Sequence, residues 1–130
     1  MEGIEMYYSF KIDPGRTVVE MKISDAFNFM EFRSFFEDIL NHPDFRPGFK
    51  IFCDARDLDF SKMTRVDVDE LVKFDKEIRE KRGQGKTAFL VKDDLQFGMS
   101  RMVELQQDEN RRNPLNVFKN PDKARQWLEI

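Results

Sequence analysis

The sequence predicts an α/β domain with the element order β-β-α-β-α-β-α-β-α, a mixed sheet with helices packed on it. Three observations predict it. Near the start, two segments alternate apolar and polar residues on either side of "DPGR" (13–16), the pattern of a strand pair. Further on, four segments space apolar residues three and four apart, as one buried helix face requires. Between those helical segments lie short apolar runs of buried-strand length.

Taken in order, Ile4, Met6, Tyr8, Phe10 and Ile12 alternate with Glu5, Ser9 and Lys11. Pro14 presets φ and Gly15 tolerates positive φ, so 13–16 turns the chain. Val19, Met21 and Ile23 then alternate with Glu20 and Lys22, completing an antiparallel hairpin. Ser24 or Asp25 can cap a helix running to about Asn41, with Phe29, Phe32, Phe35, Phe36, Ile39 and Leu40 on one face and Phe27 and Met30 pointing elsewhere. Pro43, Pro47 and Gly48 end it. "FKIFCD" (49–54) is the third strand. Thr64 caps the second long helix, with Asp67 in the fourth place of a capping box; Val68, Leu71, Val72 and Ile78 share its apolar face and it ends by Gly83. "KTAFLV" (86–91) is a strand. Asp93 or Asp94 opens a third helix with Leu95, Met99, Met102, Val103 and Gly98 on its inner face. "LNVFK" (115–119) is the last strand, and Asn120 with Pro121 opens a terminal helix that turns Ala124, Trp127 and Leu128 inward.

Composition narrows the classes. A chain of 130 residues is expected to form one domain spanning 1–130 with a core of useful size. Twenty-two Lys and Arg against 25 Asp and Glu leave a net charge of −3, which argues against nucleic acid as a partner. A single cysteine excludes an internal disulfide and fits a reducing cytoplasm. No apolar run approaches the roughly 20 residues that span a bilayer, and "MEGIEMYYSF" has neither the basic start nor the apolar stretch of a secretion signal. A soluble, cytoplasmic protein is expected. Fourteen phenylalanines and seven methionines suggest a Phe-rich core before they suggest a ligand pocket.

Motifs with chemical meaning are few. The only cysteine, Cys53, and only histidine, His42, lie close in sequence. A catalytic thiolate wants exposure and a positive surrounding, whereas Cys53 sits in a buried-type strand, pointing opposite to Phe52 and Asp54. We read it as core filler, and His42 as a contact at a helix end. "GQGKT" (83–87) lacks the earlier glycine of a phosphate loop, because Glu80 stands there, and has a helix before it and a strand after it, the reverse of the motif's order. One His and one Cys cannot build a standard zinc site, so no metal and no cofactor are expected. The charges from Lys76 to Lys86 read as a solvated face. Asp75 falls within an apolar helix face, where a carboxylate is costly unless paired; a partner such as Arg56 or Arg101 is the simpler expectation, and a ligand the other.

"HPDFRPGFKIFCDARDLDF", "VKDDLQFGMSRMVE" and "NVFKNPDKARQWL" together resemble the bacterial SpoIIAA-like family, which is related to STAS anti-sigma-factor antagonists and to the CRAL-TRIO lipid-carrier fold. The resemblance covers nearly the whole chain and implies a mixed sheet with helices. STAS antagonists carry a phosphorylated serine or threonine after the third strand. Here Ala55 and Arg56 follow that strand, and Ser61 and Thr64 are the nearest hydroxyls. Thr64 has a sufficient task as a cap, which leaves Ser61 as the candidate phosphorylation site.

The expected function is a non-enzymatic regulatory or protein-interaction module with an unidentified protein partner. The alternative is a carrier or sensor of a fatty acid or other small apolar molecule, in a pocket lined by Phe27, Met30, Phe97, Met99 and Met102. Oligomeric state is open, a homodimer included. Crevices of open α/β sheets lie beyond the carboxyl ends of parallel strands, which points to Asp54, Arg56, Phe97, Met99 and Arg101 as binding residues. Arg56 and Arg101 would hold an anionic group there; the preferred reading is that Arg56 pairs with Asp54 or Asp94.

Overall fold

A computed structural model describes residues 6–105 and 114–130, without the side chains of Leu95, Met99 and residues 102–105. The expectations for Ile4, Leu95, Met99, Met102 and Val103 therefore fall, wholly or for the side chain, outside the described residues. The elements run β1 (Met6–Asp13), β2 (Val18–Ala26), α1 (Phe29–Leu40), β3 (Lys50–Asp59), a single 3₁₀ turn (Phe60–Lys62), α2 (Arg65–Glu77), α3 (Arg79–Arg82), β4 (Thr87–Leu90), α4 (Asp94–Leu105), β5 (Leu115–Phe118) and α5 (Pro121–Leu128).

The five strands lie side by side in chain order, β1-β2-β3-β4-β5. β1 and β2 are antiparallel, as the tight 13–16 turn requires, and the three later pairs are parallel. Each parallel step moves the same way across the sheet. Since such crossovers are right-handed, α1, α2 and α4 must all cover one face. That face carries the main core: Met21, Ile23, Ile51, Cys53 and Val117 from the strands, met by Phe35, Phe36 and Ile39 of α1 and Phe74 of α2. α5 follows β5 and covers the other face, where Ala124 and Leu128 pack on Phe52, Ala88 and Leu90.

Local signals hold in several places. The Thr64 side chain accepts the amide of Asp67 while the Asp67 carboxylate accepts the amide of Thr64, a complete capping box. Asn120 accepts the amides of Asp122 and Lys123 ahead of α5. The Asp93 carboxylate accepts the amide of Gln96 at the start of α4.

Other expectations are corrected. The cap of α1 is Asn28, whose side chain accepts the Glu31 amide; Ser24 and Asp25 remain in β2, which runs on to Ala26 through a register shift between Lys22 and Ser24. β3 extends to Asp59, well past residue 54, because its second half pairs with β2 alone and leaves a solvent side for Arg56 and Asp57. The helix expected to reach Gly83 breaks at Ile78 into α2 and α3. Gly98 is exposed with open space where a Cβ would stand, so it serves no close packing. Phe27 packs its ring on Phe32, 5.8 Å between centroids, and joins the main core instead of pointing away from it.

Candidate functional site

A cavity of about 140 Å³ lies between the covered sheet face and the helices. Its floor comes from Met21, Ile51 and Cys53 with Thr87 and Phe89; its walls from Phe32 and Phe36 of α1, Leu71, Phe74, Asp75 and Ile78 of α2, Ser100 of α4, and Phe60 and Met63 around the 3₁₀ turn. Phe74 organises this wall. Its ring takes the edges or faces of Phe29, Phe32 and Phe36 at centroid distances of 6.0, 6.3 and 6.0 Å, all near perpendicular. Near-perpendicular contacts of this kind are a favoured aromatic geometry, and unbranched Met21 on the floor and Met63 in the wall can adapt to irregular space.

Arg82 lines the cavity and is 2% exposed. Its guanidinium donates to the carbonyls of Phe49 at 2.6 Å, Gly85 at 3.0 Å and Lys86 at 3.1 Å, and to Thr87 Oγ1 at 2.8 Å. This corrects the reading of 76–86 as a solvated face. Arg82 falls on the line of Leu71, Asp75 and Ile78, and that spacing was the available signal. The two glycines of "GQGKT" serve the same junction. A Cβ on Gly83, at φ +74°, would meet the Gly48 amide at 2.4 Å, and one on Gly85 would meet the Phe49 carbonyl at 2.2 Å. Only glycine lets the two turns approach closely enough for one guanidinium to bind both.

Two polar groups at the cavity differ. Asp75 is half-buried and engaged with a partner; Arg56, one of its expected partners, instead grips Asp54. Ser100 is 5% exposed and its hydroxyl has no hydrogen-bond partner. Cys53 is buried on the cavity floor, and burial first, then the neighbouring Asp54 charge, pushes its thiol far above the ordinary range. A thiol so held is inert packing. His42 Nδ1 accepts the Asp44 amide at 3.1 Å and its ring stands edge-on to Phe10.

Of the five residues expected to bind, the Met99 side chain lies outside the described residues, and Asp54 and Arg56 do not meet Phe97. Asp54 and Arg56 lie on the opposite sheet face, along a shallow groove shared with Glu20, Lys22 and Arg125. Arg56 Nε and Nη2 bind the two Asp54 carboxylate oxygens at 3.0 and 2.9 Å, the salt bridge preferred from the sequence. Phe97 packs against the main core under the ammonium of Lys119, which also binds Asp94. Arg101 is half-buried and engaged. The crevice rule depends on a reversal of strand order that sends successive loops to opposite faces. Strands that step in one direction have no such point. The pocket imagined around Phe27, Met30 and Phe97 is likewise absent from the cavity lining, and Met30 is 70% exposed. Phe60, Met63, Phe74, Arg82 and Ser100 are the residues the sequence reading missed.

Ser61 is exposed in the 3₁₀ turn; its amide and hydroxyl both bind Asp59 Oδ1, at 3.0 and 2.6 Å, which holds that carboxyl below its usual range. No group of three or more metal-ligating side chains occurs among the described residues, and no helix among them is long and apolar enough to cross a membrane.

The chain has a SpoIIAA-like fold. It is similar over 98% of both chains, at 14% identity and a TM-score of 0.65, to the crystal structure of an uncharacterised DUF3478-family protein with a SpoIIAA-like fold from Shewanella loihica PV-4. No family model and no curated protein matches the sequence. At that identity the likeness is one of fold.

Proposed function

We propose that this protein is a non-enzymatic binding module that takes a small apolar molecule into the core cavity. The observation that carries this reading is the cavity itself: about 140 Å³, walled by Phe32, Phe36, Phe60, Phe74 and Phe89 and reached by few polar atoms. The cavity is partly open to the surface, as small-molecule sites usually are, and apolar cavities of about 150 Å³ with such linings admit benzene. A complete long-chain fatty acid exceeds this volume, so a compact molecule fits better than an extended acyl chain. The test is a toluene titration followed by the methyl resonances of Met21 and Met63. Saturable shifts at both are expected; resonances that do not move up to the solubility limit of toluene would remove the reading.

The regulatory, protein-docking reading keeps one supporting observation: Ser61 stands exposed between β3 and α2, where the resembled antagonists are phosphorylated. A phosphate there would lie against Asp59 and repel it, changing the turn that a partner meets. Peptide mass spectrometry of protein from cells decides it. Phosphate on Ser61 supports the switch; an unmodified peptide under every growth condition sinks it.

A further inference from the structure

We propose that the Ser100 hydroxyl is the polar anchor of the cavity, and that the occupant is an uncharged, single-ring molecule carrying one hydrogen-bonding oxygen. The inference rests on the ligand-binding reading above and adds the chemistry of the ligand. Ser100 is 5% exposed and lines the cavity, and its Oγ has no partner. A hydroxyl taken out of water without a new hydrogen bond forfeits its hydration outright, and native proteins leave few such groups. The cavity's other polar side chains differ from it. Arg82 and Thr87 bind one another and Arg82 binds three carbonyls besides, while Asp75 has a partner of its own.

A water is a poor occupant for that hydroxyl. Buried waters make about three hydrogen bonds each, and the described lining is mostly carbon, with Phe32, Phe36, Phe60, Phe74 and Phe89 among it. A charged head group fits no better. Among the described residues the lining brings one carboxylate and one guanidinium, of opposite sign and both already committed, so an entering ion would find no free counter-ion among them. A neutral oxygen needs only the single donor and acceptor that Ser100 offers. The rest of the ligand meets ring faces, ring edges and the sulfurs of Met21 and Met63, all of which favour an aromatic ring.

The experiment compares toluene, phenol and benzoate on the wild-type chain and on Ser100→Ala, with dissociation constants read from the Met21 and Met63 methyl shifts. Toluene is expected to bind both proteins within about twofold, since it makes no hydrogen bond; phenol is expected to bind Ser100→Ala about three- to tenfold more weakly than wild type, the worth of one net hydrogen bond. Benzoate is expected not to bind at neutral pH. Ser100→Cys, with a weaker donor of similar size, should fall between. Thermal melting should show Ser100→Ala at least as stable as wild type without ligand, because the substitution removes an unpartnered hydroxyl. Phenol binding both proteins equally while toluene binds overturns the anchor and leaves the ligand-binding reading standing. Benzoate binding better than phenol overturns the neutral-ligand assignment. A less stable Ser100→Ala that also loses toluene makes Ser100 structural and overturns the anchor. Failure of every probe on the wild type removes both proposals together.

Discussion

The two faces of the sheet spend their polar groups in opposite ways. On the face shared with α5, charged side chains find one another: Arg56 with Asp54, Lys22 with Asp57 at 3.4 Å, and Arg125 with Glu20 at 2.7 Å, the Arg125 guanidinium also lying 4.6 Å over the Phe52 ring. These pairs are largely in water, where each contributes little and screens readily. On the covered face there are few polar groups and each matters. Arg82 is bound four times over, and the Ser100 hydroxyl is bound by nothing. A groove full of charges is therefore the weaker candidate for a site, and a nearly apolar cavity with one unmet hydroxyl the stronger. The asymmetry follows from topology, since three crossover helices on one face leave a deep, dry layer, and one terminal helix on the other leaves half the sheet wet.

The covered face should give the largest responses. Phe74→Ala removes the ring about which Phe29, Phe32 and Phe36 are arranged and extends an existing void, so unfolding in urea should show a loss of about 3–5 kcal/mol. The enlarged cavity should then admit naphthalene, which the wild type should exclude. A loss below about 1 kcal/mol would mean the helices collapse into the space, and with it that the cavity is not held open by the fold.

Arg82→Met comes next. It keeps an unbranched apolar stem but strips the donors from the carbonyls of Phe49, Gly85 and Lys86. Buried carbonyls left without partners cost about 1–3 kcal/mol each, softened by whatever water enters from the adjoining turns, and a total near 3 kcal/mol is expected in urea unfolding. Arg82→Lys should recover little, because an ammonium has no planar fork to reach two turns at once. Equal stability of Arg82→Met and wild type would show that the guanidinium is dispensable to the junction.

How much of this was legible follows the same division. The hairpin, the Thr64 and Asn120 caps and the inward Cys53 were readable because each depends on a few neighbouring residues. The Asp54–Arg56 pair was readable for that reason too. Arg82 was only hinted at by its spacing from Asp75 and Ile78, because a charge in a charged stretch reads as solvated until the carbonyl of residue 49, far away in sequence, is known to accept from it. Phe74 was hidden between Lys73 and Asp75. Ser100 in mid-helix gives no local sign at all. Its importance comes from what α1, α2 and the sheet leave uncovered, a property of several elements together that no window of the sequence contains.

The smallest effect belongs to the wet face. Arg56→Ala breaks the bidentate contact with Asp54, yet Arg56 is substantially exposed, and a loss of about 0.5 kcal/mol or less is expected. Acid should reveal the same pair. Partial burial raises the Asp54 carboxyl, but the hydrogen bonds and charge of Arg56, helped by the Lys22 charge, outweigh it and hold the pKa below its ordinary value. A depressed folded pKa means that this stabilisation is complete above the unfolded carboxyl's value of about 3.9 and fades as pH falls through the lower folded value. The stability gap between wild type and Asp54→Asn should thus be level from about pH 7 to pH 5 and close toward pH 2. A gap that widens on acidification would reverse the sign and deny that Arg56 holds the carboxylate. Neither substitution should alter toluene affinity, since the sheet itself separates this pair from the cavity; a weakened affinity in Arg56→Ala would mean that the two faces are coupled.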